Sequence, residues 1–261
     1  MNTQKTALIT GSSYGIGKEL AYLFIKNGYN LVITARSHDK LQDLKVDLLK
    51  EFPDRSILII PRDLSLPDAP LHLVNALKEK NLVIDVLVNN AGYGLLNSFH
   101  EADLDQQLNM IQLNVNNLVS LTRLLIPQMI KNKTGGILNV ASIAGFVPGP
   151  NMAVYYATKA FVLSFSEALH EELKPFGISV TCLAPGPTLT KFGEVSGMKE
   201  SVIFKMGAQS AQTVARKGYK GFVRNKVIVL PGLKNKSITL ITRFFPRYLI
   251  RKVIHRLQKI T

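Results

Sequence analysis

The sequence predicts an α/β fold, a single doubly wound parallel sheet of about seven strands with helices on both faces. Three observations predict it. Short apolar runs of strand length alternate with longer stretches whose apolar residues recur at helical spacing, from residue 5 to about residue 230. Glycines cluster where the first run passes into the first helical pattern, in Thr10-Gly11-Ser12-Ser13-Tyr14-Gly15-Ile16-Gly17. Polar residues, Arg36, Asp63 and Asn90, follow the next three runs, where open α/β sheets bind ligands.

Taken in order, Lys5 to Thr10 is the first strand. Ile16 to Asn27 carries Leu20, Leu23 and Phe24 on one helical face, and Gly28 closes it. Asn30 to Ala35 is a strand, about Ser37 to Phe52 a helix, Ile57 to Pro61 a strand, about Pro67 to Lys80 a helix and Ile84 to Asn89 a strand. Two helical patterns fill Leu104 to Lys131 before a strand at Gly136 to Ala141. A long helix from about Ala153 to Lys174 is stopped by Pro175 and Gly177, and Ile178 to Leu183 and Lys226 to Leu230 are the last strands. Such alternation needs crossovers, and right-handed crossovers give a parallel sheet. No repeat, low-complexity segment or interdomain linker interrupts it. Residues 1–236 therefore read as one body and 237–261 as a basic helical extension without a core of its own.

Composition narrows the function classes. With 46% hydrophobic and 19% charged residues, 261 residues can bury a sizeable core. The single cysteine, Cys182, lies in an apolar run and reads as a buried thiol, which excludes a disulfide scaffold and suits a reducing, cytoplasmic compartment. The N-terminus lacks a signal-peptide pattern, and no apolar run is long enough to span a bilayer. The net charge of +14 is local: 14 of the 32 Lys and Arg fall in residues 201–261, which contain no Asp or Glu. A basic block in which the aromatics needed for stacking are few, and which no nucleic-acid motif accompanies, argues against nucleic acid.

The candidate chemistry centres on Tyr155 and Lys159, four residues apart and so on one helical face, with Ser142 thirteen residues before the tyrosine. A cation beside a phenol favours the phenolate, lowering a pKa that starts near ~10, as acid–base work on a carbonyl or alcohol requires. Gly11 suits a tight turn, Gly15 close approach to a pyrophosphate and Gly17 helix–strand packing, although an ordinary βα turn carries glycines too. Arg36 stands where NAD binders place an acid on the ribose; a guanidinium there suits a 2′-phosphate and predicts NADP(H). Asp39 is better explained by the first turn of the next helix. Asp63-Leu64 and Asn89-Asn90-Ala91-Gly92 fall at sheet mouths, where turn chemistry competes with ligand binding.

These motifs together resemble the short-chain dehydrogenase/reductase family, over about residues 5 to 230. TGSSYGIG, Asp63, NNAG, Asn114, Ser142, YYATK and PGPTLT at 185–190 come in the family's order. The resemblance implies a Rossmann-type fold and an NADP(H)-dependent oxidoreductase passing a hydride between nicotinamide and a carbonyl or secondary alcohol. It selects Tyr155 over Tyr156 as general acid/base, has Ser142 orient the substrate oxygen, and gives Asn114 a proton relay through water. Lys159 would hold the nicotinamide ribose and lower the tyrosine pKa. Cofactor contacts are implied for Gly11, Ser12, Ser13, Tyr14, Gly15, Ile16 and Gly17, and for Arg36, Asp63, Leu64, Asn90, Ala91 and Gly92. Pro185, Gly186, Thr188 and Thr190 resemble the segment that closes over the nicotinamide. No metal enters this chemistry. A homodimer or homotetramer through the two long helices is implied by analogy.

The resemblance implies that substrate choice falls to about Lys191 to Gln209 and to residues near Tyr93 to Leu96 and Ile143 to Gly149; these include Tyr93, Leu95, Leu96, Phe146, Val147, Phe192, Val195 and Met198, which suggest an apolar pocket for a ketone, a steroid-like ring or an acyl compound. The tail departs from the family. Arg247, Arg251, Lys252, His255, Arg256 and Lys259 interleave with Tyr248, Leu249, Val253, Ile254 and Leu257 as a basic amphipathic helix. Four placements suit it: an anionic membrane surface, the mouth of the pocket, another subunit, or the chain's own body. The alternative function is a nucleotide-sensing or interaction protein on the same fold, which would not need the intact set of Asn114, Ser142, Tyr155 and Lys159.

Overall fold

The computed structural model describes residues 4–198 and 207–258. Seven parallel strands lie in the order β3-β2-β1-β4-β5-β6-β9, with β1 at Thr6–Thr10, β2 at Asn30–Thr34, β3 at Ile57–Ile59, β4 at Val86–Asn89, β5 at Gly135–Val140, β6 at Ile178–Leu183 and β9 at Ile228–Val229. The order reverses between β1 and β4, as in a doubly wound sheet, and this reversal is where such sheets bind ligands. The helices joining the strands are α1 (Gly15–Lys26), α2 (His38–Glu51), α3 (Ala69–Glu79), α4 (Leu104–Ile111), α5 (Asn117–Asn132) and α6 (Ala153–Leu173). After β6 come β7 (Thr188–Leu189), a short α7 (Phe192–Val195), β8 (Gln209–Ser210), α8 (Ala211–Val223) and, beyond β9, α9 (Leu233–Phe244) and α10 (Arg247–Leu257).

Both sheet faces are covered, which explains the near-continuous apolar runs of the strands. On one face Phe24, Leu20 and Leu41 from α1 and α2 pack with Phe222 of α8 against Ile9, Ile33 and Leu138. On the other, Leu73 and Leu77 of α3, Leu121 and Met129 of α5 and Leu169 of α6 pack against Leu8, Leu87 and Val180.

The architecture predicted from the sequence is the one observed, with instructive local differences. Leu104–Asn132 is one rod whose middle, Gln112–Asn116, is π-helical. That widened turn shifts the apolar register, so the sequence reads as two patterns. The last strand is only two residues long, and β7 and β8 form a separate parallel pair that periodicity did not reveal. β4 begins at Val86, because the carboxylate of Asp85 is already accepting from the Thr6 amide at 2.7 Å.

A chain of buried polar groups ties the second layer to the sheet. Asn89 Nδ2 on β4 donates to Asn139 Oδ1 on β5 at 2.9 Å and to Thr122 Oγ1 on α5 at 3.1 Å. Asn139 Nδ2 donates in turn to Ser166 Oγ on α6 at 3.0 Å. Asn139→Ala would strand two buried partners, and the expected loss is about 2 kcal/mol, read as a lower urea midpoint with an unchanged m value.

Candidate active site

The carboxyl ends of the strands open into a cavity of about 670 Å³ that runs from the glycine turn to Met198. Gly11 and Gly15 have φ of +64° and +61°, and a Cβ on Gly11 would stand 2.9 Å from Ala91 Cα. Glycine is thus required where the β1–α1 turn meets the loop after β4. Thr10 Oγ1 accepts from the Asn90 and Ala91 amides at 3.0 Å each. Asn90 Nδ2 returns bonds to the carbonyls of Thr10 (2.9 Å) and Gly11 (3.0 Å). Tyr14 caps α1 without a side-chain bond, and no acid lies in its first turn. A positive helix end with unspent amides is suited to an anion.

Gly11, Ser13, Tyr14, Gly15 and Ile16 line the cavity; Ser12 and Gly17 do not. Ser12 is fully buried, with its hydroxyl donating to Thr34 O at 3.4 Å, and Gly17 packs on Gly11 and Asn90. Their sequence-stretch neighbours face the cavity while they hold its floor.

Next to the turn lies a cationic corner formed by Arg36, Lys40 and Arg62. Arg62 Nε is buried there without a hydrogen-bond partner. Asp63 and Leu64 complete the wall, and Asp63 Oδ1 also accepts from Ser65 N at 3.0 Å and from Ser65 Oγ at 2.7 Å, so its turn role is real as well. Asp39 does not line the cavity. Lys40 and Arg62 were missed in the sequence, where the available signal was a cation four residues beyond Arg36 and another directly before Asp63.

At the other end, Ser142 ends the extended segment after β5. Its Oγ accepts from Ala144 N at 3.1 Å and donates to Pro185 O at 3.4 Å, and it is the hydrogen-bonding neighbour of the Tyr155 phenol. Lys159, one turn below Tyr155 on α6, is buried and donates from Nζ to Val140 O at 2.9 Å. Its Nζ stands 5.8 Å from the Tyr155 ring centre. Burial pushes the Tyr155 phenol up to about 12, with the Ser142 bond pulling the other way. Burial also brings Lys159 down to about 8. Desolvation is the largest influence on both groups, and the ammonium is engaged by a backbone carbonyl.

Asn114 sits in the π-helical turn, behind the cavity wall. Its Oδ1 accepts from Tyr93 N at 3.1 Å, and its Nδ2 donates to Tyr93 O at 2.9 Å and Thr158 Oγ1 at 3.1 Å. The amide thus braces the loop after β4 against the α6 turn that carries Lys159. Pro185, Gly186, Thr188 and Thr190 all line the cavity. Pro185 O accepts from Ile143 N at 2.9 Å, and Thr188 Oγ1 donates to Gly186 O at 2.9 Å.

Of the residues expected to shape the substrate, Tyr93, Leu95, Phe192, Val195 and Met198 line the cavity. Leu96 and Val147 pack in the layer behind, and Phe146 turns away toward Leu118 and Val162, because the 3₁₀ turn at Ile143–Phe146 rotates it off the pocket. Residues 199–206 of the expected specificity loop and Lys259 lie outside the described residues. The tail packs on its own body: Ile254 joins the apolar cluster around Tyr155, Tyr156 and Met198. Gln258 Nε2 donates to Tyr156 Oη at 2.8 Å, and Asn151 Nδ2 donates to Gln258 O at 2.8 Å. Gln258 was not singled out from the sequence, although it stands eight residues after Ile250 and four after Ile254 on the buried stripe.

Comparison with known proteins agrees with this geometry. A very-long-chain 3-oxoacyl-CoA reductase-like protein of Arabidopsis thaliana is 35% identical over 205 residues, 76% of this chain but only 64% of the relative. A probable NADP-dependent dehydrogenase of Haemophilus influenzae is 37% identical over 182 residues, 69% of this chain and 70% of the relative. Among solved structures, a short-chain dehydrogenase from Sphingobium yanoikuyae in complex with NADPH superposes with a TM-score of 0.81 at 29% identity, covering 93% of this chain and 97% of that one. The family model described as short chain dehydrogenase matches residues 5–200, and the chain belongs to that family.

Proposed function

We propose that the protein is an NADP(H)-dependent oxidoreductase that interconverts a carbonyl and a secondary alcohol on an apolar small molecule. The observation that carries the reading is the convergence of Ser142, Tyr155 and Lys159 at the end of a cavity whose other end is built for a phosphorylated dinucleotide. The residues fit such a cofactor: glycine where a Cβ would collide, an uncapped helix start, and an orphaned buried Arg62 Nε beside two further cations. Arg36, Lys40 and Arg62 would hold a 2′-phosphate, the α1 amides and the glycine turn the pyrophosphate, and Lys159 the ribose next to the nicotinamide. When bound, the cofactor supplies or accepts the hydride.

The chain's own part is proton handling and placement. A phenol held high by burial is protonated throughout the neutral range, so Tyr155 is poised to donate a proton to an oxygen as charge grows on it. Ser142 is a second donor to the same oxygen. Tyr93, Leu95, Phe192 and Met198 exclude water and favour an apolar substrate body; the similarity to a 3-oxoacyl-CoA reductase-like protein and to a probable NADP-dependent dehydrogenase supports the same reading. Exposed Leu104, Leu108, Ile111 and Phe161 on the α4–α5 rod and α6 support a homo-oligomer through those helices.

In a screen of bulky ketones and 3-oxoacyl thioesters with NADPH, Tyr155→Phe should lower kcat/KM at least ~100-fold while NADPH binding, followed by fluorescence, is retained. Equal rates in the variant would refute the acid role. Arg36→Asp should weaken NADPH binding by about tenfold to a hundredfold and leave NADH binding unchanged or tighter, by isothermal titration. The reduction rate should fall as pH rises through about 8, where the buried Lys159 loses its proton. A pH profile flat to the alkaline limit of stability contradicts that assignment.

A further inference from the structure

Helix α9 is inside out. Its buried residues are polar, Asn235 and Thr239 being 8% and 6% exposed, whereas Leu233 and Phe244 are each 81% exposed and Leu240 58%. The inward polar groups are satisfied locally: Asn235 Nδ2 donates to Pro231 O at 2.6 Å, and Thr239 Oγ1 to Asn235 O at 3.1 Å. Asn235 sits against the loop at Gly186, where an added Cβ would stand 2.6 Å from its Nδ2. Leu233, Leu240 and Phe244, seven and four residues apart, fall within roughly 40° of one another and form a ridge directed away from the body. At the corner into α10, Phe245 and Tyr248 are both at least half exposed as well.

An outward apolar ridge of this extent marks an interaction surface. Its charge selects the occupant. The chain from residue 201 onward has 14 Lys and Arg and no acid, and Arg247, Arg251, Lys252 and Arg256 are exposed on α10 beside the aromatic corner. A second copy meeting this face across a twofold axis would set cations against cations. Among the described residues no helix is long and apolar enough to cross a membrane, so the geometry is that of a helix pair lying in an interface plane. We propose that the outer face of α9 and α10 docks on an anionic lipid bilayer, with Leu240, Phe244 and Phe245 in the acyl boundary and the α10 cations among the headgroups. The inner face of α10, through Ile254 and Gln258, walls the apolar cluster around Tyr155 and Tyr156, so the docked surface is the back of the pocket.

The full chain should float with vesicles of phosphatidylglycerol and phosphatidylcholine and remain unbound with pure phosphatidylcholine. Phe244→Glu with Phe245→Glu should abolish flotation, and Arg251→Gln with Lys252→Gln should weaken it by about fivefold for each charge removed. Both pairs are exposed, so an unchanged melting temperature and NADPH affinity should accompany the loss; those controls depend on the fold and cofactor site and not on lipid. Flotation that survives Phe244→Glu/Phe245→Glu, or that is equal on neutral vesicles, overturns the proposal. So does a chain that ignores both vesicles but whose sedimentation velocity shows a dimer dispersed by the same substitutions, because the face then belongs to a second copy.

Discussion

The arrangement of the site depends on one buried cation. Lys159 is drawn out of water and held by a single carbonyl, Val140 O, at the end of β5. Placing an ammonium there is unfavourable, as its lowered proton affinity records. The interaction nonetheless pins α6 to the mouth of β5 at a fixed height, and the rest follows from helical geometry. Tyr155 stands one turn earlier, next to Ser142 on the segment that leaves β5. The close approach that allows this is visible at Gly145, whose missing side chain makes room for the Lys159 backbone. Loss of the pin would free the helix and the phenol together.

The second constraint is the joint between β1 and β4. Asn90 gives its side chain to the glycine turn and leaves Ala91 and Gly92 to face the cavity, so the glycine-turn end and the Tyr155 end share a wall. Asn114 extends the joint. By bonding both backbone groups of Tyr93 and the hydroxyl of Thr158, it links the loop after β4 to the helix that carries the lysine. A π-helical turn is well suited to this, because it projects one amide from an otherwise regular rod toward the site. The two ends of the cavity are therefore parts of one hydrogen-bonded frame.

Much of this was legible in the sequence. Strand–helix alternation is set by apolar periodicity, and both faces of the sheet are buried, so the six principal strands could be read within a few residues. Gly11, Arg36, Ser142, Tyr155 and Lys159, all of which line the cavity, were legible because few residue types suit the roles proposed for them. What could not be read was set by three-dimensional packing. Ser12 and Gly17 lie within the glycine motif yet behind the cavity. Phe146 is apolar and close in sequence but is turned away by a 3₁₀ segment. The direction of the Tyr155 shift depends on how much water the fold removes, which four-residue spacing does not encode. Lys40, Arg62 and Gln258 reach the site from segments whose local pattern is that of ordinary helix and turn.

The adjacent tyrosines carry one more consequence. Rotation of about 100° per residue sends two chemically identical phenols to different neighbours: Tyr155 to Ser142 and Phe192, Tyr156 to Gln258 near the end of the chain. The helix gives a sequence duplication two different surroundings, with one hydroxyl beside Ser142 and the other a mooring for the tail. Gln258 is thereby one hydrogen bond and one peptide bond removed from Tyr155. The tail is thus secured to the helical turn that carries the Tyr155 phenol.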